Sequence, residues 1–416
     1  MNAPLSGALF LLVAAAAAAG AAAQPQIAGA DVTLLGVLPS GYKPCSMDIG
    51  EVEDGPYRGR WLYFGSDNNV STGQVLIRMS VGATNDPDLV GSVAGFQHSY
   101  CTAVYDPDGV FVDRNGLITG VPGRILVASS NPSDNAGVLW RIDASADEAG
   151  GGFSFPHPYA NPSVAINNCD FMTQDDSDAF YLNVPGQNEI AQMIGVPENN
   201  GGTFQTFAVL PSAAGAVVYD GSNRIWSSGK DGIVRRMETN REGTPPLPRR
   251  EVDMVWVDLL NGEENGLTAS RALPGAGGAW GGGVLAVRRG TGNGELVRIR
   301  SNTLAVDLLG TQLGDVLAMK VDADGILYAA DYSTGEVWRV ERSERLGCGP
   351  GDVGGTGGET QSDGQLSNDD FIVFIDYFFG EDPRADRGSA GGVRLPDGAW
   401  NNNDFVVFVD DFFSGC

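Results

Sequence analysis

Six aspartates near the carboxyl terminus have the residue type and the spacing of a cation site. Two of them stand directly before a glycine and seven residues before another aspartate, in DGQLSNDD at 363–370 and DGAWNNND at 397–404. In a calcium-binding loop, glycine makes the sharp turn at position six and carboxylates occupy positions five and twelve. The pattern therefore predicts bound calcium. The predicted ligands are Asp352, Asp363, Asp370, Asp386, Asp397 and Asp404.

The first ligand of each loop depends on how the loop is counted. Without an insertion, positions one and three are Glu359 and Gln361 in the first loop but apolar residues in the second. With an insertion, Asp352 and Asp386 become the first ligands, and their equal distance of 11 residues from the aspartate before the glycine favours this count. The alternative is that these aspartates are helix N-caps and turn formers.

The two loops belong to a duplicated unit. Residues 351–379 align with residues 385–413 at a constant offset of 34. Each unit ends in a run with large apolar residues at i, i+3, i+4 and i+7, which predicts a helix with one apolar face. We expect the two faces to pack against each other. They consist of Phe371, Phe374, Ile375 and Phe378 in one unit, and of Phe405, Phe408, Val409 and Phe412 in the other.

The tail that contains these units, residues 346–416, differs in composition from the rest of the chain. It carries 13 acidic and 3 basic side chains, and 8 of the 18 phenylalanines. A segment both acidic and aromatic is expected to fold, with cations offsetting its carboxylates. Cys348 and Cys416 bracket the tail, and a disulfide between them would stabilise a domain with a small core. The alternative is that the terminal cysteine serves for attachment.

A loop followed by one helix, present twice, resembles a dockerin domain. The closing Gly415-Cys416, the CGPGD sequence at 348–352 and the DDFIVFIDYFF sequence at 369–379 are similar to those of bacterial GC-type dockerin-anchored proteins. The resemblance implies a small α-helical calcium module. It also implies a cohesin-like or other cell-envelope protein as the partner of the tail.

The body, residues 24–345, repeats a pattern of two short apolar strands joined by a polar turn. The alternation and the turn residues predict β-hairpins. Some of the hairpins follow a further strand with an Asp/Gly turn, in AVYDPDG at 103–109, VVYDG at 217–221 and MKVDADG at 319–325. The hairpins are at 61–79, 124–142, 179–194, 224–237, 283–299 and 326–340.

Three or more strands per unit, repeated six times, predict an all-β fold, a six-bladed β-propeller. Residues 30–38 are expected to supply an outer strand that closes the ring. The alternative is a β-sandwich or two smaller β domains. The complete prediction is a propeller followed by the small α-helical, dockerin-like module.

The body resembles the six-bladed NHL-repeat and regucalcin/gluconolactonase-like propellers, most clearly in VDADGILYAADYSTGEVWRV at 321–340. The lactonases of this group hold a metal with Glu, Asn and Asp near the central channel, and the resemblance implies such a site. The early Glu-Gly-Pro motif of that group is missing here. We therefore expect a noncatalytic binding or scaffold module. A metal-dependent hydrolase of the regucalcin-like kind is the alternative.

Several residues of the body are predicted to lie near one mouth of the channel. Cys45, Cys101 and Cys169 stand near the first strands of successive units, and a Cys45–Cys101 disulfide is expected. Asp48, Asn168 and Asp170 lie near the same positions and are candidates to bind a cation or a sugar hydroxyl, as part of a small-molecule or carbohydrate site. The two histidines, His98 and His157, are predicted in loops.

The amino terminus and the charge bear on location and partners. Residues 1–23 contain an apolar run and an alanine tract that ends at Ala23, which predicts a secretory signal peptide; a transmembrane anchor is the alternative. We expect a secreted or cell-surface protein with no transmembrane segment after cleavage. The net charge of -26 argues against nucleic acid as a partner, because nucleic-acid binding needs a basic surface.

Overall fold

The structure is a computed structural model of the 416-residue chain. It describes residues 24–53, 57–66, 76–82, 90–101, 107–114, 116, 118, 121–130, 137–142, 157–160, 172–174, 179–184, 188–194, 203–220, 224–240, 250–270, 280–281, 283–290, 293–301, 303–342, 351–355, 357–358, 366–388 and 398–413.

The described residues contain short β-strands up to residue 342 and two α-helices after it. The strands are β1 (Gln26–Ile27), β2 (Ala30–Val37), β3 (Pro44–Val52), β4 (Gly59–Ser66), β5 (Leu76–Ser80), β6 (Gln97–Cys101), β7 (Pro107–Asp113), β8 (Arg124–Ser130), β9 (Gly137–Ile142), β10 (His157–Ala160), β11 (Met172–Gln174), β12 (Phe180–Val184), β13 (Glu189–Ile194), β14 (Thr203–Val209), β15 (Ala214–Tyr219), β16 (Arg224–Gly229), β17 (Ile233–Asn240), β18 (Arg250–Asp258), β19 (Gly266–Ala269), β20 (Val284–Arg288), β21 (Glu295–Ile299), β22 (Val306–Thr311), β23 (Val316–Val321), β24 (Leu327–Asp331) and β25 (Glu336–Arg342). The helices are α1 (Asn368–Phe379) and α2 (Asn402–Phe413).

These strands form six antiparallel sheets, five of four strands and one of five, within the described residues. Four sheets use consecutive strands: β3 to β6, β7 to β10, β11 to β14, and β15 to β18. The fifth joins β19 to β22 and carries β1 on its outer edge, and the sixth joins β23 to β25 and carries β2. The first strands contact one another in cyclic order, β3, β7, β11, β15, β19 and β23, and β23 contacts β3 again. The predicted all-β propeller class is confirmed.

The middle strands of each sheet come from the predicted hairpins. β4 pairs with β5, β8 with β9, β12 with β13, β16 with β17, β20 with β21, and β24 with β25. The outer strand expected from residues 30–38 is also confirmed, since Asp31 pairs with Glu341 and Val37 with Glu336. The chain thus joins its amino-terminal strand to its last sheet.

Two local predictions were wrong. The strand predicted at AVYDPDG lies further along the chain, because β7 runs over Pro107–Asp113. Its turn is formed by Asp113, whose Oδ2 accepts the N–H of Ile118 at 3.1 Å. The histidines predicted in loops lie on strands, His98 on β6 and His157 on β10.

The propeller core lies between neighbouring sheets. Each sheet has apolar side chains on both faces, so the middle strands read as continuous apolar runs, such as WLYF in β4. Trp61, Trp226 and Trp280 are fully buried, and the indole N–H of each has an acceptor, for example Asp220 Oδ2 at 2.8 Å from Trp226. Burial of such large apolar groups is the main source of stability in this architecture.

The two tail helices pack through the apolar faces predicted from the sequence. The rings of Phe374 and Phe408 are stacked with centroids 3.9 Å apart, and both side chains are fully buried. Phe371 contacts Phe412 edge to face with centroids 4.7 Å apart. Both helices have 12 residues, and none of the helices that the structure describes is long and apolar enough to cross a membrane.

Deleting residues 24–37 should destabilise the propeller, because β25 loses its outer partner. We expect the free energy of unfolding to fall by about 2 kcal/mol or more, since Val32 and Leu35 are partly buried and lose part of the about 1.5–3 kcal/mol that each side chain contributes when fully buried. Urea denaturation followed by circular dichroism measures this. Deleting residues 24–29 removes β1 but keeps β2 and is the matched control. Equal stability of the two deletions would contradict the closing role of β2.

Candidate binding sites

Asp48 lies at the centre of a charge cluster that joins three sheets. It lies on β3 and is 1% exposed. Its Oδ1 contacts the guanidinium of Arg114 and the Nζ of Lys320, the latter at 3.0 Å, and accepts the N–H of Ile49 at 2.8 Å. Its Oδ2 accepts the N–H of Val112 at 2.8 Å. Because Arg114 follows β7 and Lys320 lies on β23, one carboxylate links the first, second and last sheets.

The pKa values of the cluster follow from burial and neighbouring charge. Burial raises the pKa of Asp48. The charges of Arg114 and Lys320 and the N–H of Val112 lower it by a larger amount, so the net pKa lies below the usual 3.8. Burial lowers the pKa of Lys320, Asp48 raises it and Arg114 lowers it, with a net value below the usual 10.5. Asp48 is therefore ionised at neutral pH. With two cations and two N–H groups around it, this carboxylate is a poor ligand for a further cation.

A cavity of about 780 Å³ opens beside this cluster, between the first, second and last sheets. The end of β3 forms one wall, and the segments after β7 and β23 form the others. Its charged lining residues are of both signs: Glu51, Glu53, Arg60, Arg114, Arg124 and Asp322.

Arg60 forms a second charged link between the first and last sheets. Its Nη1 contacts Asp322 Oδ2 at 3.0 Å and also contacts Asp324. Burial lowers the pKa of Arg60, but its hydrogen bond to Asp324 and the charges of both aspartates raise it by more, so the net pKa lies above its usual value. Arg60 is thus a cation that two carboxylates neutralise.

The other predicted residues of the body are only partly described. Asn168, Cys169 and Asp170 lie outside the described residues, so their grouping with Asp48 stays a prediction. Cys45 is the second residue of β3, is buried, and its Sγ lies 3.1 Å from the carbonyl oxygen of Asp108. The side chain of Cys101 is outside the described part, so the Cys45–Cys101 disulfide also stays a prediction.

Sequence reasoning selected Asp48 but missed its partners, Arg114 and Lys320. One signal could have found Lys320. The chain contains 26 basic residues, and lysine stands only at positions 43, 230 and 320. A rare lysine one residue before the apolar end of a predicted inner strand was therefore a candidate for a specific contact.

In the first tail unit, Asp370 fixes the loop to the start of α1. Its Oδ1 accepts the N–H groups of Val353 and Gly354, both at 2.9 Å, and its Oδ2 accepts the N–H of Ser367 at 2.7 Å. Ser367 is the N-cap of α1 and bonds the N–H of Asp369, so the two side chains form a capping box. Asp370 is fully buried.

The second tail unit repeats these contacts at the offset of 34. Asp404 Oδ1 accepts the N–H groups of Arg387 and Gly388 at 2.6 and 2.8 Å, and Oδ2 accepts that of Asn401 at 2.8 Å. Burial raises the pKa of Asp404, but these N–H donors lower it to a net value below 3.8. The sequence duplication is therefore also a duplication of structure.

The contacts of Asp370 and Asp404 limit how these two carboxylates could bind a cation. A carboxylate offers about four lone pairs, and three N–H groups already occupy three of them at Asp370 and at Asp404. These two aspartates thus do not fit bidentate coordination. Asp352 and Asp386 directly precede Val353 and Arg387, whose N–H groups are bound in this way. The calcium ligands and the count of each loop stay predictions.

The rest of each predicted calcium loop is only partly described. Asp363, Asp397, Cys348 and Cys416 lie outside the described residues. Gly398 has the left-handed backbone expected of the turn glycine, with φ of 76°, and its N–H bonds Asp386 Oδ2 at 2.8 Å. No group of three His, Cys, Asp or Glu residues suited to a metal occurs in the part of the chain that the structure describes.

Each tail helix also exposes apolar side chains that the sequence analysis did not select. Ile372 is 52% exposed and its repeat equivalent Val406 is 49% exposed. Phe379 and its equivalent Phe413 are 78% and 76% exposed. We call these four residues the exposed apolar pairs. The signal was present in the sequence, since they fall at equivalent positions outside the predicted apolar face.

Comparison with known proteins finds likeness at the level of structure only. No family model matches the chain, and no curated protein matches it. A gluconolactonase from Xanthomonas campestris is similar with a TM-score of 0.48 and 13% identity, over 76% of this chain and 94% of that one. A virginiamycin B lyase from Staphylococcus aureus is similar with a TM-score of 0.44 and 10% identity, over 75% and 99%. Likeness at this level carries no argument about activity.

Replacing Asp48 with alanine should lower the free energy of unfolding by about 3 kcal/mol, because two partly buried cations and two backbone N–H groups lose the buried carboxylate that they share. Urea denaturation at neutral pH measures the loss. Asp324→Ala is the matched control: that side chain is 61% exposed and pairs with Arg60, so we expect a loss of at most about 1 kcal/mol.

Lowering the pH should remove the contribution of Asp48 to the free energy of unfolding. The pKa of Asp48 in the folded protein lies below 3.8, so its ionised carboxylate stabilises the fold fully at any pH above 3.8. This stabilisation decreases progressively as the pH falls below 3.8. The difference between the parent protein and Asp48→Ala is therefore expected to be constant near neutrality and to shrink in strong acid. A difference that is small at pH 7, or that grows in acid, would refute the role of the cluster.

Proposed function

We propose that this is a secreted or cell-surface β-propeller that binds a small molecule or carbohydrate, or acts as a scaffold, and is attached through its two-helix tail. The partner of the tail is a cohesin-like or other cell-envelope protein. The signal-peptide pattern of residues 1–23 supports export. The exposed apolar pairs carry the attachment part of the proposal.

Equivalent exposure in two units supports a docking role. Exposed apolar side chains next to polar surface are typical of protein contacts. In both units the exposed phenylalanine ends its helix and the exposed aliphatic residue lies one turn after its start. Phe379 and Phe413 would supply the large buried contacts of an interface, since aromatic anchors dominate binding energy.

Calcium is proposed as the cofactor of the tail, with a reduced ligand set. Asp352 and Asp363 would hold it in the first unit, and Asp386 and Asp397 in the second. Asp370 and Asp404 would act as positioning residues that fix each loop to its helix. Calcium would supply rigidity and charge neutralisation in a tail with 13 acidic and 3 basic side chains.

Docking is tested by pull-down from the cell-envelope fraction of the source organism, with partners identified by mass spectrometry. The double variant Phe379→Ser and Phe413→Ser should lose the partner, while either single variant keeps one unit's surface. Trp256→Ser is the control, because Trp256 is 66% exposed on β18, outside the tail. Unchanged capture by the double variant would refute the proposed surface.

Calcium binding is tested by titration calorimetry on the full-length protein. The double variant Asp352→Asn and Asp386→Asn should weaken calcium binding about tenfold or more, because each loop loses a carboxylate ligand. Asp370→Asn should instead lower stability without calcium by about 1–3 kcal/mol, since buried N–H groups lose acceptors. Absence of calcium binding, or affinity unchanged in the double variant, would contradict the proposal.

A further inference from the structure

The charge cluster at Asp48 has more cations than carboxylates. Among the described residues, Arg114 and Lys320 both pair with Asp48 alone. Arg60, which lines the same cavity, has the opposite ratio, since this one cation contacts two carboxylates, Asp322 and Asp324. Arg114 and Lys320 therefore have one contacting carboxylate between them, while the other carboxylates on the cavity include the exposed Glu51 and Glu53.

The two cations are more exposed to solvent than the carboxylate that they share. Asp48 is 1% exposed, whereas the side chains of Arg114 and Lys320 are 33% and 25% exposed. The carboxylate thus lies behind its two cations. Arg114 lines the cavity, and within the described residues its guanidinium bonds Asp48 and the carbonyl of Ile49 through Nη2, which leaves Nε and Nη1 to meet a ligand.

The cavity has the size of a small-molecule site. Its volume of about 780 Å³ lies within the range of roughly 300–1,000 Å³ typical of ligand pockets. Its walls are made by strand ends and the segments that follow them, which the sheets hold in place.

We propose that this cavity binds a small ligand that carries a single carboxylate, such as a sugar acid, with Arg114 as its main contact. The proposal rests on the binding role proposed for the propeller and names its ligand class. Guanidinium and carboxylate form two parallel hydrogen bonds, and two cations that share a single contacting carboxylate favour the binding of a monoanion. A neutral sugar of the same size lacks this contact.

The acidic residues on the cavity set a limit to the ligand charge. Glu51 and Glu53 line it and are exposed. Their repulsion disfavours a dianion such as a sugar phosphate more than a monoanion. Charges within about 8 Å interact at physiological ionic strength, so these two residues matter more than the net charge of the whole chain.

The test is calorimetric titration of the full-length protein with D-glucuronate, glucose 6-phosphate and D-glucose. We expect glucuronate to bind about tenfold or more tightly than glucose, because it gains a charge-assisted hydrogen-bond pair. Glucose 6-phosphate should bind more weakly than glucuronate. Equal affinity for glucuronate and glucose, no binding of glucuronate, or tighter binding of the phosphate would each overturn the proposal.

Variants separate the site from general effects. Arg114→Ala should weaken glucuronate binding about tenfold or more, and Arg114→Lys should retain part of the affinity since it keeps the charge. Glu51→Gln should strengthen binding, a gain that a folding defect cannot produce. Arg300→Ala is the control, because Arg300 pairs with Asp307 away from the cavity. Unchanged affinity in both Arg114→Ala and Glu51→Gln would refute the site.

The result of the glucuronate titration is independent of the docking function of the tail. Loss of partner capture in the pull-down concerns Phe379 and Phe413, which take no part in the cavity. Failure of the docking test therefore leaves the carboxylate site standing, and failure of the glucuronate titration leaves docking standing.

Discussion

The buried carboxylate of Asp48 is the interaction on which the closed ring depends. A carboxylate removed from water is strongly unfavourable unless charges and N–H groups surround it. Here the required groups come from the second sheet, through Arg114 and Val112, and from the last sheet, through Lys320. The carboxylate is therefore satisfied only when the first, second and last sheets are together. Strand β2 adds the hydrogen-bonded part of the same closure on the outside of the ring.

The tail solves a similar problem twice on a smaller scale. Two helices of 12 residues have a limited core, and the stacked rings of Phe374 and Phe408 form its centre. Asp370 and Asp404 each bind three backbone N–H groups and so fix the preceding loop to a helix start. These carboxylates stabilise the helix ends, where N–H groups lack partners within the helix. Their position in a calcium-loop pattern and their contacts in the structure thus point to different roles.

Much of the fold could be predicted, because strand alternation, turn residues and the repeat spacing are local signals. The hairpins, the closing strand at 30–38 and the two helices follow from such signals. The strand of the second sheet was misplaced since YDPDG at 105–109 and VDRNG at 112–116 both have turn residues, and only packing selects Asp113 as the turn former. The pairing of Asp48 with Lys320 was beyond reach because the two are far apart in sequence and meet only when the ring closes.

The acidity of the chain is only partly explained by cation sites. Its 52 acidic residues suggest abundant cation ligands, but the described buried carboxylates of Asp48, Asp370 and Asp404 are already occupied by cations or N–H groups. A buried carboxylate is thus evidence of a structural contact before it is evidence of a metal or of catalysis. In an acidic protein the rarer feature is a cation without its own carboxylate. Arg114 and Lys320 share one between them, as Arg298 and Arg300 share Asp307. Arg114 also lines a cavity, and this combination makes that cavity a candidate to bind an anion.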